Sequence, residues 1–209
     1  MDSPDFNFKI LLLGDSEIGM PQLLYRVIEN TWSPSPVFKS RTDFRLKLLT
    51  VDDNSIRLSI WDSAGRDGFY LTNTYFRGAH GVIFLYSRYD LGSFRHLTDW
   101  IDRVARLNSS PNIIKMILAH DYRKAPEDPL CVTEEDGAAL ARDHDALHFI
   151  VNSENGQNVD ECITALIRQL IASARSAAPA APSSPSANPT IRLDKPSPSS
   201  TPASGGCCS

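Results

Sequence analysis

The sequence predicts an α/β domain: a mostly parallel six-stranded sheet with helices on both faces, followed by a disordered tail. Three observations carry that prediction. Short apolar runs of strand length alternate with helix-length amphipathic stretches. A polar turn joins only one neighbouring pair of strand-like runs. Near Arg175 the composition shifts abruptly to Ala, Pro, Ser and Gly.

Residues 8–13 (Phe-Lys-Ile-Leu-Leu-Leu) form an apolar run ending at Gly14, as a strand covered on both faces would. Residues 44–51 and 55–62 flank Asp52-Asp53-Asn54 and read as a hairpin. Residues 81–86, 113–119 and 148–152 are further buried-strand candidates. Helical patterns cover about 20–30, 70–77, 92–107, 134–143 and 158–175. In the last, Val159, Cys162, Ile163, Leu166, Ile167, Leu170 and Ile171 recur at helical spacing, with Asn158 as the expected cap and Glu161 three residues on. Thr133 with Asp136 is a weaker version of the same capping signal. Seven of the 14 prolines lie between residues 179 and 202. Such a stretch buries too little apolar surface to offset its chain entropy. The division expected is a domain at 1–175 and a tail at 176–209.

Hydrophobic residues make up 42% and charged residues 22%, ordinary for a soluble globular protein. A net charge of −4 argues against nucleic acid as a main partner, because phosphate binding needs a basic face. Cys131 and Cys162 stand alone, and Cys207 and Cys208 adjoin at the end, so no disulfide framework is indicated. An acidic N-terminus without a signal peptide points to the cytosol. Apolar runs of about six residues are too short to span a membrane.

Gly14-Asp15-Ser16-Glu17-Ile18-Gly19-Met20-Pro21 has the glycine spacing of the G-x-x-x-x-G-K-[ST] phosphate loop, set between a strand and a helix. Its glycines let backbone N–H groups curl around a phosphate. The next residues should be Lys, for the outer phosphates, and Ser or Thr, for Mg²⁺. Met20 brings no charge, and Pro21 has neither hydroxyl nor N–H. Glu17 adds a negative side chain where phosphate charge would sit. A charge-assisted hydrogen bond is worth about 1.5–3 kcal/mol, so the missing Lys alone weakens binding by about ten- to a hundredfold. The loop by itself is equally consistent with a strand–turn–helix that binds nothing.

Trp61-Asp62-Ser63-Ala64-Gly65-Arg66-Asp67 resembles the W-D-T-A-G-Q-E signature of Ras-like small GTPases. Tyr75-Phe76-Arg77-Gly78-Ala79, followed by residues 81–86, resembles the Rab branch, as do Asp43-Phe44, residues 47–51 and residues 156–160. The resemblance runs over about residues 6–172 plus the terminus, and the Gly-Cys-Cys-Ser ending with residues 158–162 is most similar to the C-class Rabs of plants. It implies the small-GTPase fold, GTP/GDP and Mg²⁺ as ligands, and a place in vesicle trafficking.

Residue by residue, the resemblance implies that Asp62 supports Mg²⁺ and that Gly65 senses the terminal phosphate. Arg66 stands where the family has the Gln that orients the attacking water, and arginine has no acceptor to copy it. Lys39 aligns with the Mg²⁺-binding Thr. The guanine-reading N-K-x-D becomes His120-Asp121-Tyr122-Arg123, and Ser153-Glu154-Asn155 stands for S-A-K. Phe44, Trp61 and Tyr75 match the aromatic trio that engages Rab effectors; as strand and helix residues they read equally well as core. Cys207 and Cys208 resemble a double geranylgeranylation site, which implies escort machinery and a lipid-anchored monomer on the cytoplasmic face of an intracellular membrane. The tail's charges are Arg192, Asp194 and Lys195, so it carries no polybasic second signal.

Three functions follow as expectations: a nucleotide-impaired, membrane-anchored binding module; a working GTPase switch; or a drifting gene copy. Among lesser candidates, His144 and His148 around Asp145 read as solvated surface more than as a metal site. Cys131 and Cys162 read as small packed hydrophobes.

Overall fold

The computed structural model describes residues 3–38, 44–63, 73–108, 110, 112–122 and 129–177. The chain divides into two units, 1–178 and 179–209. Ser176 and Ala177 of the expected tail close the last helix, while residues 178–209 with the cysteine pair lie outside the described residues, as do Lys39, Gly65, Arg66 and Arg123.

The elements follow in the order β1 (Phe6–Leu13), α1 (Met20–Glu29), β2 (Phe44–Val51), β3 (Asn54–Asp62), α2 (Asn73–Phe76), β4 (Gly81–Ser87), α3 (Leu91–Arg95), α4 (Leu97–Leu107), β5 (Ile114–His120), α5 (Glu134–Asp143), β6 (Leu147–Val151) and α6 (Val159–Ala177). The strands form one sheet in the order β2-β3-β1-β4-β5-β6. Among the described residues only β2 and β3 pair antiparallel. The six-stranded, mostly parallel sheet read from the sequence is therefore present.

Strand alternation sends neighbouring side chains to opposite faces. Phe8, Ile10 and Leu12 of β1 join Ile83, Leu85, Met116 and Leu118 beneath α1 and α6. Leu11 and Leu13 join Phe84, Tyr86, Ile117 and Ala119 beneath α4 and α5. Central strands buried on both faces explain the unbroken apolar runs.

Four local readings change. The β2–β3 turn has two residues, not three: Val51 pairs with Asn54, and Asp52 and Asp53 take φ of 49° and 62°. Positive φ at both positions is the hairpin turn that Asp tolerates. The helix expected over 92–107 breaks at His96, although that residue keeps near-helical angles (φ −71°, ψ −11°). The apolar spacing therefore runs through the break. Asn158 does not cap α6 with its side chain; at φ 57° it donates from Nδ2 to the Ile150 carbonyl at 2.7 Å. Thr133, by contrast, forms a full capping box with Asp136. Cys162 packs in the core as expected, with burial pushing its thiol up to about 12, but Cys131 is exposed.

Candidate functional site

The candidate site lies at the carboxyl ends of the parallel strands, where β1 runs through the loop 14–19 into α1. Gly14 is packed so closely that a Cβ there would stand 2.5 Å from the Leu85 carbonyl oxygen of β4. Gly19, at φ 79°, would place a Cβ 2.7 Å from both the His120 and the Tyr122 rings. Both glycines are thus demanded by packing, whether or not the loop holds a phosphate.

Met20 begins α1 and is only 4% exposed, part of the core below the loop. The Ser63 hydroxyl lies 3.7 Å from the Met20 sulfur and 3.4 Å from the Gly14 carbonyl oxygen. The Ser63 N–H donates to Leu12 at 3.0 Å. Pro21 occupies the first helical turn, where no intrahelical N–H bond is lost, and it is exposed. Asp15, the second loop residue, is held from outside the loop: His96 Nδ1 lies 2.6 Å from one carboxylate oxygen, and Trp100 Nε1 donates to the other at 3.1 Å. That hydrogen bond raises the His96 pKa and favours its imidazolium. Ser16 and Glu17 are exposed, and Glu17 takes φ 65°.

His120 ends β5 and is fully buried. Its Nδ1 lies 2.8 Å from the Ile18 carbonyl oxygen, which can only accept, so this nitrogen carries the proton. Nε2 then accepts from the Ser153 hydroxyl at 3.0 Å. Burial drives the His120 pKa down to about 4 and holds the ring neutral. Both ring nitrogens are therefore used in binding loop 14–19 to the ends of β5 and β6. Tyr122 stacks on His120, with centroids 5.3 Å apart. Asp121 accepts from the Tyr89 hydroxyl at 2.5 Å, and its carbonyl accepts from Asn152 at 3.0 Å. Arg26 of α1 donates to the Ser153 carbonyl at 2.8 Å and the Glu154 carbonyl at 2.6 Å.

Asp62 is half-buried at the end of β3, in register with Leu12. The aromatic trio forms one contiguous stack: Phe44 lies 5.0 Å from Trp61, and Trp61 meets Tyr75 edge-on at 5.9 Å. Tyr75 is buried and donates to the Trp61 carbonyl at 2.7 Å, while Phe44 and Trp61 are half-buried. Lys9 sits 4.4 Å over the Trp61 ring. Along β2 the same face continues into exposed Leu46 and Leu48.

The structure thus gathers Gly14–Pro21, Asp121, His120, Ser153 and Glu154 at one end of the sheet, and sets Phe44, Trp61 and Tyr75 beside β1. Sequence reasoning missed Arg26, His96, Trp100, Tyr89 and Asn152. Each acts across a sequence separation that no local spacing reveals. Among the described residues no cluster of His, Cys, Asp or Glu could hold a metal ion. The reading of His148 as surface is corrected: its Nε2 is shielded beneath α5. No helix among those described is long and apolar enough to cross a membrane.

A family profile described as the Ras family matches residues 9–172. The chain is similar to Ras-related protein Rab-18 of Caenorhabditis elegans, 31% identical over 207 residues (99% of this chain, 96% of the relative). It is also similar to Ras-related protein RABC1 of Arabidopsis thaliana, 30% identical over 208 residues (98% and 95%). Ras-related protein Rab-1D of Dictyostelium discoideum is 31% identical over 167 residues (79% and 80%). With its strand order, its loop between β1 and α1 and these relatives in agreement, the chain belongs to the Rab branch of the Ras family of small GTPases.

Proposed function

We infer that this protein is a Rab-type binding module in vesicle trafficking, anchored to an intracellular membrane, whose nucleotide site has lost its affinity for GTP and GDP. The family generally binds guanine nucleotide with Mg²⁺. One observation carries the departure: Met20, at the lysine position of the loop, is packed into the core against Ser63 and offers no charge to a phosphate. The donor set around it fits the ligand no better. Pro21 has no hydroxyl for a metal. His120 spends both nitrogens on protein groups, and a carboxylate, Asp121, stands at the basic position of N-K-x-D.

The half-buried Phe44 and Trp61, supported by buried Tyr75, supply the partner surface of this reading; aromatics of this kind commonly anchor interfaces. Cys207 and Cys208 supply the anchor once geranylgeranylated, since two long chains hold a membrane where one is marginal. A working GTPase switch is the second reading, favoured by Asp62, which matches the family's Mg²⁺-supporting aspartate and stands half-buried at the end of β3 in register with Leu12.

Chromatography of whatever is released on denaturing the purified full chain separates the two. The binding-module reading expects no stoichiometric nucleotide, and no rise in melting temperature with millimolar GTP and Mg²⁺, where a ligand at 100 times its Kd would add about 2.7 kcal/mol. Bound GDP or GTP at one per chain would overturn it. Loss of membrane association in a Cys207→Ser/Cys208→Ser variant is expected for the anchor.

A further inference from the structure

We propose that Ser35, in the connection between α1 and β2, is a phosphoacceptor for a proline-directed serine/threonine kinase, taking its phosphoryl group from ATP. Residues 33–36 read Ser-Pro-Ser-Pro. Proline fixes its own φ, has no backbone N–H, and pushes the residue before it into an extended conformation. A kinase that covers the position after the acceptor with an apolar wall therefore takes proline there, because any other residue leaves a buried N–H unbonded. Both serines meet that sequence rule, and the structure separates them.

The connection is held at two points. Gln22 of α1 donates from Nε2 to the Pro34 carbonyl at 3.0 Å. Phe38 meets Tyr25 edge-on at 5.7 Å, with the Arg45 guanidinium 4.4 Å from its ring. Between those points Ser35 is exposed, Pro36 is half-buried and Val37 is 82% exposed, so acceptor, proline and following residue stand out as one tip. Ser33 is half-buried, and its hydroxyl accepts the Ser35 N–H at 3.3 Å. The Ser35 hydroxyl itself has no partner among the described residues. Ser110, also exposed and followed by proline in the sequence, curls back on Asn108 through both its N–H and its carbonyl. In the transfer, the Ser35 Oγ attacks the γ-phosphorus of ATP. The Oγ–P bond forms as the bond to the ADP oxygen breaks, and the hydroxyl proton passes to the kinase's base. Residues 31–43 hold Lys39, Arg41 and Asp43, a net charge of 2 − 1 = +1. A phosphate of about −1.5 to −2 reverses that sign. The change falls on the approach to β2, whose Phe44 heads the partner surface; that consequence, unlike the acceptor site, rests on the proposed function.

The test uses the purified full chain with Mg²⁺, ATP and a proline-directed kinase of verified activity on a Ser-Pro peptide. Phosphate should appear on Ser35, located by fragment ions in tandem mass spectrometry. Ser33→Ala should keep it, which assigns the acceptor within the Ser-Pro-Ser-Pro run. Pro36→Ala should slow its appearance about tenfold or more, the cost of one buried, unpaired N–H. Ser184, Ser197 and Thr201 of the tail also precede proline, and any phosphate there should be unchanged in Pro36→Ala, so a general loss of kinase action is distinguished from loss at this site. A bare Ser35 under conditions that modify the peptide, or equal Ser35 rates in the parent and Pro36→Ala, would overturn the proposal. Nucleotide found on the chain would instead overturn the proposed function and leave the Ser35 result standing.

Discussion

Gly19 and Gly156 both take positive φ, 79° and 82°, yet their surroundings differ. A Cβ on Gly156 would find its nearest neighbours at 3.9 Å, on the guanidinium of Arg26, whereas one on Gly19 would press into two aromatic rings at 2.7 Å. Gly156→Ala should therefore cost only the left-handed backbone term, about 1–2 kcal/mol. Gly19→Ala should cost about 1–3 kcal/mol more, as overpacking against the buried His120 ring and the half-buried Tyr122 ring stacked on it. Urea midpoints of the two variants at equal m-value test the difference; equal losses would mean that His120 and Tyr122 yield freely. The glycine spacing was legible in the sequence, but its cause was not. His120 meets Ile18 across 102 residues and Ser153 across 33, so only the folded chain shows that a residue unfit for reading guanine has become a structural tie. The same holds for Met20, which the sequence could describe only as a missing charge.

Among the elements, α5 shows both what local rules reach and where they stop. Its capping box was visible as Thr133 three residues before Asp136, because that device is contained within one turn. The expected cap of α6 failed because the Asn158 side chain found a carbonyl on β6 instead. Nor does the sequence show how α5 meets the sheet. Gly137 faces Tyr86 of β4 and His148 of β6, whose hydroxyl and Nε2 would stand 2.3 and 2.6 Å from a Cβ there. Both polar atoms are shielded and, among the described residues, without a hydrogen-bond partner. Burial raises the Tyr86 pKa and lowers that of His148, so each stays neutral. Tyr86→Phe removes a buried, unbonded hydroxyl and should be neutral or stabilising. Gly137→Ala should destabilise by about 1–3 kcal/mol through overpacking. In the Tyr86→Phe background that loss should shrink, since the nearest clashing atom is gone. A double-mutant cycle with zero coupling would show that α5 simply shifts away.

Across the whole molecule, histidine protonation sets how stability should follow pH, and the signs oppose one another. His120 is held neutral by full burial, and partial desolvation lowers His80 and His148 in the same direction, so all three have folded pKa values below their unfolded ones. The unfolded chain therefore binds protons first, and stability falls as pH drops below about 6.5. For His120 the fall ends near its folded value of about 4. His96 runs the other way: its raised pKa gives a contribution that is complete below about 6.5 and fades as pH climbs through the folded value. Because His96 is largely exposed and its bond to Asp15 is open to solvent, screening keeps that contribution small. The lowered carboxyls of Asp5, Asp52 and Asp136 act only in the acid range near and below their ordinary 3.8. The lowered imidazoles, led by fully buried His120, should dominate between pH 7 and 5. His120 alone, moving from 6.5 to about 4 on folding, should remove about 2 kcal/mol over that interval. Urea unfolding of the full chain at the two pH values measures it. His120→Asn keeps both hydrogen bonds but cannot titrate, so it should flatten the curve by about that amount while leaving stability at pH 7 within about 1 kcal/mol of the parent. If the variant and parent lose stability equally on acidification, His120 is not the group that couples this fold to protons, and His80 and His148 must carry the slope.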